Sequence, residues 1–260
     1  MKLILANGNP LEEVASKVLF KEGWFVFTNH MLIIMLAALL LLIVIPLSVG
    51  KIQIIRRGFG GVIETICVFL REEVARPFLK ADTDRYIGVL WTLFFFILTM
   101  NLLGMVPLSR LIWLVTGQKN DFYGAPTANI WVTGTLALFS FILFHAAGIK
   151  QNGIKNYIRD FCPKVPWVMW LPMFGLELVS SFVRMFSLAI RLFANILAGH
   201  ILLATMLGFI VIYKNFMVAT ASISFTVMMS LLEIFVAFLQ AYIFTFLTAI
   251  FIGFAIHPEH

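Results

Sequence analysis

Charged residues are scarce in this chain. Of its 260 residues only 12% are Asp, Glu, Lys or Arg, whereas 61% are hydrophobic. Soluble domains carry roughly twice that share of charge, because charged side chains keep their surface in water. The composition excludes a soluble enzyme, a disordered chain and a coiled coil, and it predicts one polytopic membrane domain over residues 1–260. We attribute the net charge of +6 to basic loops on one side of a membrane, and expect no nucleic-acid partner.

Metal-binding and nucleotide-binding motifs are missing from the sequence. Its two cysteines, Cys67 and Cys162, lie far apart and show neither CxxC nor Cys/His spacing, so we expect no metal site. No Gly-rich phosphate loop, HExxH or GxSxG sequence occurs, so we expect no nucleotide or other cofactor. His30 and His145 are isolated in the sequence and are interpreted as packed or solvated side chains.

Uncharged stretches predict the membrane spans. A helix needs roughly 20 residues to cross ~30 Å of hydrocarbon, and three stretches in the first half are longer than that. The predicted spans there are residues 31–50, 86–109 and 126–149. No stretch resembles a cleaved signal, and we expect a bacterial or organelle-encoded protein.

The second half contains two longer apolar runs. Residues 215–256 hold one charge, and as a single helix they would be ~63 Å long, about twice the hydrocarbon thickness. We predict two long, strongly tilted helices, 167–212 and 216–256, that form a hairpin at Lys214. A count of six or seven spans, with these runs broken, remains open.

An amphipathic segment follows the first span. Across residues 54–80, Arg57, Glu64 and Arg71 recur every seven positions. Apolar residues occupy the other face, namely Phe59, Val62, Ile63, Ile66, Phe69 and Leu70. We predict a helix that lies in the membrane interface and ends at Pro77; an ordinary surface helix is the alternative.

Basic residues predict the orientation. The segments after the first and third spans hold eleven Lys and Arg, while the segments of the opposite side hold six. Because basic loops stay on the cytoplasmic side, five spans place residues 1–30 outside and the C-terminus inside.

Three charges in the fifth predicted helix share one face. Glu177, Arg184 and Arg191 are seven residues apart, so each step rotates only ~20° around the helix, and Asn195 stays close to the same face. An intramembrane charge usually marks an ion or substrate path; an arginine paired within its own subunit is the alternative. Small residues that would let another helix approach line the stripe around Arg191: Ser187, Ala194 and Ala198.

The last predicted helix repeats this pattern. Glu233 and Gln240 are seven residues apart and share a face, whereas His200 lies on the side of its helix opposite to Arg191. In an antiparallel hairpin His200 and Glu233 can face each other. Such a pair can exchange protons near neutral pH; a static polar clamp is the alternative.

The stretch Ser187-Leu-Ala-Ile-Arg-Leu-Phe-Ala-Asn-Ile-Leu-Ala-Gly-His200 closely resembles the signature of subunit a of F-type ATP synthases. The resemblance extends over nearly the whole chain. The segment Thr92–Pro107, with Asn101-Leu-Leu-Gly-Met-Val-Pro107 at its end, looks like the family's second crossing span, and residues 233–240 look like its final-helix motif. The family commonly has an acidic residue where this chain has Gly104.

The resemblance implies a stator subunit of the membrane sector, which is not an enzyme on its own. It implies that Arg191 faces the carboxylates of a rotating c-ring, that His200 and Glu233 line the outer proton half-channel, and that two proton half-channels couple translocation to ATP synthesis. Other positions match the family as follows: Asn195 and Gln240 flank the arginine, and Glu177 and Arg184 lie on the inner side.

The resemblance also implies partners and location. The expected partners are the c-ring, the peripheral-stalk subunit b, the rest of the ATP synthase and the lipid bilayer. The expected location is a bacterial plasma membrane or a mitochondrial inner membrane. Two other functions remain open, a self-contained ion channel or secondary transporter and a structural scaffold. The first would need an internal repeat or broken helices, and the second would leave the intramembrane charges unexplained.

Overall fold

The computed structural model describes residues 18–22, 25–49, 58–106, 117, 126–154, 157 and 167–257. Five helical runs in this part of the chain are long and apolar enough to cross a membrane, which confirms an all-α membrane fold with five spans. In chain order the elements are β1 (Val18–Glu22), β2 (Phe25–Thr28), α1 (Asn29–Val49), α2 (Phe59–Phe69), a π-helical segment (Leu70–Ala75), α3 (Arg76–Leu79), a 3-10 turn (Lys80–Asp82), α4 (Thr83–Met105), a 3-10 turn (Pro126–Ala128), α5 (Ile130–Asn152), α6 (Trp167–Tyr213) and α7 (Phe216–Ile256).

Both long apolar runs are continuous helices. Helix α6 has 47 residues and α7 has 41. They are joined at Lys214, whose φ of 47° is left-handed and turns the chain. The side-chain oxygen of Asn215 accepts a hydrogen bond from the Met217 N–H at 3.0 Å and caps the start of α7. The six- and seven-span alternatives, which needed these runs to break, are therefore wrong.

Two spans begin and end away from the predicted residues. Helix α5 starts at Ile130 rather than 126, because Asn129 caps it by accepting a hydrogen bond from the Trp131 N–H at 3.0 Å. Helix α4 starts at Thr83, three residues earlier than predicted. At this start the Thr83 hydroxyl donates a hydrogen bond to the Lys80 carbonyl at 2.7 Å. It ends at Met105, so the predicted end at 109 is too late.

The amphipathic segment differs from the prediction in how it ends. Pro77 does not end the helix; it lies in the first turn of α3, directly after the π-helical segment. Proline lacks an N–H and disturbs the preceding helical turn, and the wider π-helical turn accommodates that disturbance. The helix ends instead at Leu79, and Lys80 follows with a positive φ of 49°. Arg57 lies outside the described residues.

Helix α2 and the π-helical segment that follows it pack along α4. The Arg71 guanidinium forms an ion pair with Asp84 at 2.6 Å, and the Trp91 indole N–H donates to the Cys67 carbonyl at 3.0 Å. The two contacts run in opposite order along the two helices, which shows that the packing is antiparallel. The predicted apolar face is therefore divided: Ile63 and Leu70 are buried, while Phe59, Val62 and Phe69 are exposed.

A short antiparallel β-hairpin precedes α1 and was not predicted. Strands β1 and β2 pair so that Phe20 lies opposite Phe27 and Glu22 opposite Phe25. The register is irregular between Val18 and Phe20. Strand β2 leads directly into α1, where the Thr28 hydroxyl oxygen accepts a hydrogen bond from the Met31 N–H at 3.4 Å.

The chain divides into two compact units, and the division falls inside the long helices. Unit 1 comprises Met1–Leu39, Ile97–Thr133 and Arg191–Gln240; unit 2 comprises Leu40–Phe96, Gly134–Ile190 and Ala241–His260. The core of unit 1 includes Ile33, Ala37, Ile97, Met100, Leu192, Ile196 and Ala237. The core of unit 2 includes Leu70, Leu79, Leu90, Phe94, Phe244 and Ile252.

Polar contacts hold the end of α7 in unit 2. The Asn152 side-chain amide donates to the carbonyls of Ala255 and Ile256 at 3.1 and 3.3 Å, which satisfies two of the acceptors that a helix end leaves open. On the same pair of helices, the hydroxyls of Ser140 and Thr248 lie 3.1 Å apart. Gly253 allows close packing, because a Cβ there would lie 2.8 Å from the Phe78 carbonyl oxygen.

Candidate functional site

Glu233 is the most buried acidic side chain that the structure describes within a spanning helix. It lies on α7, is only 7% exposed, and directs its carboxyl group at Gly199 of α6. A Cβ at position 199 would lie 2.8 Å from Oε1 and 3.1 Å from the carboxyl carbon of Glu233. Because glycine has no side chain, the two helices can approach closely enough to enclose the carboxyl group.

The Glu233 carboxyl group borders a cavity of about 190 Å³ between α6 and α7 within unit 1. The cavity is lined by Asn195, Ile196, Ala198, Gly199, Leu202, Leu203, Met229, Leu232, Glu233 and Val236. Neither carboxyl oxygen has a hydrogen-bond partner among the described side chains. A buried carboxyl group without a hydrogen-bond partner costs several kcal/mol when it is charged.

Polar side chains continue from Glu233 along one face of α7. Gln240 is 4% exposed, and its amide nitrogen is buried without a partner in the described structure. Between the two, the carbonyl of Ala237 accepts a hydrogen bond from the Asn101 side-chain amide of α4 at 3.3 Å. Asn101 was not predicted as a site residue, although an amide inside an apolar run is a signal that could have indicated it.

Arg191 lies on the surface of α6. Its side chain is exposed, and within the described chain it has no hydrogen-bond or ion-pair partner. Ala194 and Ala198, which the sequence places on the same stripe, are also exposed, as is Ser187 one turn earlier. Asn195 is half-buried and lines the Glu233 cavity.

The other predicted site residues lie apart from this cluster or outside the described side chains. Arg184 belongs to unit 2, where its guanidinium carbon lies 5.6 Å from the centre of the Phe251 ring in a cation–π contact. Positions 177 and 200 are helical residues of α6, but the side chains of Glu177 and His200 lie outside the described residues. The structure therefore brings Asn195 and Glu233 together around one cavity, with Gln240 further along α7.

Two histidines that the sequence analysis treated as isolated have specific polar contacts. His145 Nδ1 lies 2.7 Å from the Tyr157 hydroxyl oxygen, and its ring contacts those of Phe141 and Phe144. His30 is 2% exposed, and its Nδ1 lies 3.2 Å from the Asn129 side-chain nitrogen. The sequence offered no signal for the second contact, because the two residues are 99 positions apart.

The fold and the site define a class of protein: polytopic α-helical membrane proteins with ionisable side chains inside their spanning helices. The profile of the family described as ATP synthase A chain matches residues 30–253. The chain belongs to this family.

Three curated relatives illustrate the similarity. The ATP synthase subunit a of Chloroherpeton thalassium is 37% identical over 90% of this chain and 68% of its own length. The ATP synthase subunit a 2 of Chlorobaculum tepidum is 37% identical over 88% of this chain and 62% of its own length. The ATP synthase subunit a of Myxococcus xanthus is 39% identical over 90% of this chain and 74% of its own length. The chain thus spans about two thirds of the length of these relatives.

Proposed function

We propose that this chain is the stator subunit a of the membrane sector of a proton-translocating ATP synthase. It presents Arg191 to the carboxyl groups of a rotating c-ring, and it forms two proton half-channels that open to opposite sides of the membrane. The observation that carries the proposal is the exposed Arg191 on a spanning helix, with no partner in the described chain and small exposed neighbours at Ala194 and Ala198.

An arginine facing hydrocarbon would be unstable by several kcal/mol, so its partner must come from another subunit. A ring carboxylate fits this position in charge and in shape, because a guanidinium pairs with a carboxylate through two parallel hydrogen bonds. The exposed alanines leave room for a helix to approach closely. The long, tilted hairpin of α6 and α7 supplies the surface along which the ring turns.

The arginine couples proton release to the movement of the rotor. A neutral, protonated ring carboxyl group can move through lipid, whereas an ionised one cannot do so without a large loss of solvation. A fixed cation at Arg191 favours the ionised form, so each ring carboxyl group must release its proton as it arrives. The guanidinium keeps its charge at all working pH values and so blocks a direct proton leak between the half-channels.

The outer half-channel runs through the cavity at Glu233. Its carboxyl group can accept a proton from the outer side and pass it towards the ring, with His200 as its exchange partner and with Asn195 and Gln240 as further polar groups on the route. The buried, unpartnered carboxyl oxygens of Glu233 support this role, because a static clamp would pair them.

The inner half-channel passes Glu177 and Arg184 of α6, which lie nearer the end of the helix that we place inside. The orientation has the N-terminus outside and the C-terminus on the cytoplasmic or matrix side. In the assembled enzyme the subunit contacts the c-ring and the peripheral-stalk subunit b, in a bacterial plasma membrane or a mitochondrial inner membrane.

Disulfide crosslinking in the assembled complex tests the proposed rotor surface. In a background with Cys67 and Cys162 replaced by Ser, Ala198→Cys should crosslink to cysteines placed next to the ring carboxyl group. Met35→Cys, which is 62% exposed on α1, is the matched control and should not crosslink. Equal crosslinking at both positions, or none at position 198 in an intact complex, would contradict the proposal and favour a self-contained transporter.

A further inference from the structure

A buried polar cluster joins the first turn of α1 to the start of α5 in unit 1. Asn29 and His30 are 0% and 2% exposed, and Thr127 in the turn before α5 is 0% exposed. His30 Nδ1 lies 3.2 Å from the side-chain nitrogen of Asn129. Fully buried positions in proteins are mostly apolar. Three polar side chains buried this completely are therefore unusual.

The cap of α5 fixes the orientation of the Asn129 amide. Its oxygen accepts the N–H of Trp131 at 3.0 Å, which leaves the amide nitrogen to face His30. An amide nitrogen only donates, so Nδ1 of His30 must accept, and the neutral imidazole carries its proton on Nε2. Protonation of Nδ1 would set two donors against each other. His30 is therefore held as a hydrogen-bond donor at Nε2.

The donor at His30 Nε2 and the hydroxyl of Thr127 are both buried, and neither has a hydrogen-bond partner in the part of the chain that is described. Eight buried side-chain atoms of the described residues lack a hydrogen-bond partner, and seven of these belong to unit 1. They are atoms of His30, Asn101, Thr127, Thr226, Glu233 and Gln240. Native proteins pair nearly all buried polar groups, so this concentration indicates a route where mobile partners complete the hydrogen bonds.

The Thr127 turn contacts the wall of the Glu233 cavity through one residue. Ala128, the residue after Thr127, packs against Ile196, and Ile196 lines the cavity together with Glu233. The His30 cluster and the Glu233 cavity thus lie in the same unit, one packing contact apart.

We propose that His30 and Thr127 are positioning residues for proton uptake, and that they orient the hydrogen-bonded water through which protons reach Glu233. This inference rests on the proposed function and deepens it. His30 donates from Nε2 and does not itself carry the proton, because Asn129 occupies Nδ1. The Thr127 hydroxyl both accepts and donates, so it can pass the hydrogen-bond chain onward.

Two pairs of variants separate this role from simple packing. Thr127→Val removes the hydroxyl and keeps the shape, whereas Thr127→Ser keeps the hydroxyl. His30→Leu removes the donor, whereas His30→Gln keeps a donor near the Nε2 position but cannot titrate. If His30 only fills space, its Leu variant should match the parent. If the imidazole carries the proton, the Gln variant should fail.

The assay is ATP synthesis by the assembled enzyme in membrane vesicles, at constant total driving force and varied proton concentration on the uptake side. We expect Thr127→Val and His30→Leu to lower the rate about five- to tenfold at limiting proton concentration, as for the loss of one hydrogen bond, and less than twofold at saturation. Thr127→Ser and His30→Gln should stay within about twofold of the parent throughout. Subunit content per vesicle is the assembly control.

The same assay on Glu233→Gln distinguishes this inference from the proposed function. If Glu233→Gln stops ATP synthesis while Thr127→Val synthesises ATP at the parent's rate, the uptake role of the cluster is refuted and the stator function stands. If Glu233→Gln also synthesises ATP at the parent's rate, the proposed half-channel is wrong. His30→Gln as slow as His30→Leu would likewise overturn the positioning role. Should His30→Leu fail to assemble, the Thr127 pair decides.

Discussion

Gly199 controls the position of the Glu233 carboxyl group. In Gly199→Ala the new Cβ would lie 2.8 Å from Oε1, whereas ordinary contacts begin at 3.4 Å, so the oxygen must move by about 0.6 Å. The carboxyl group is the end of a flexible side chain beside a cavity of about 190 Å³, so it can move without displacing the helices. We therefore expect a change in proton transfer rather than in folding.

The displacement sets the size of the effect. A misplacement of ~1 Å at a reacting group lowers rates about 100-fold, so a shift of ~0.6 Å should lower proton-driven ATP synthesis roughly ten- to twentyfold. Ala is more favourable than Gly inside a helix by about 0.5–1 kcal/mol, so the amount of assembled complex should not fall. Gly208→Ala is the matched control, because it lies on the same helix and its Cβ would meet nothing within 4 Å.

The assay compares ATP synthesis per assembled complex in membrane vesicles for both variants. Combining Gly199→Ala with Glu233→Asp adds a second test, since the shorter side chain withdraws its carboxyl group from the new methyl. The double variant should be no slower than Glu233→Asp alone, which is a non-additive result. If Gly199→Ala and Gly208→Ala both match the parent, the position of the Glu233 carboxyl group does not control proton transfer.

Two further predictions concern orientation and proton exchange. Cysteines introduced at Lys119 and Lys155 should react with an impermeant reagent from opposite sides of the membrane, because the basic loops define the inner side; labelling from one side would refute the five-span orientation. Exchanging His200 and Glu233 for each other should recover part of the proton uptake that either single change loses, since each sets the other's environment; an exchanged variant no better than the worse single variant would show that they are not in contact.

The sequence predicted the two long helices closely, because charge is rare enough in this chain for single polar residues to be informative. Lys214 and Asn215 interrupt an otherwise apolar run, and the turn lies there. By contrast, the helix through Pro77 continues because a π-helical segment precedes it, and hydrophobic periodicity carries no information about such a segment. The β-hairpin was missed because its strands are short and depend on pairing with each other.

The candidate site was predicted in part. Spacing indicated that Glu233 faces α6 near position 200, and Gly199 is the residue found against it. The His200 side chain lies outside the described residues, so its pairing with Glu233 stays a prediction. His30 and Asn129 could not be paired from the sequence at all, because their contact depends on how distant helices pack.

Arg191→Ala removes the fixed charge on which the proposed stator mechanism depends. The measurement is ATP synthesis and passive proton flux through the assembled membrane sector in vesicles under an imposed gradient. We predict that synthesis is abolished and that passive flux rises, because the fixed charge between the half-channels is gone. Arg191→Lys should also be severely impaired, since a desolvated lysine can lose its proton and arginine cannot. Normal synthesis in Arg191→Ala, with no more leak than in the parent, would contradict the stator mechanism.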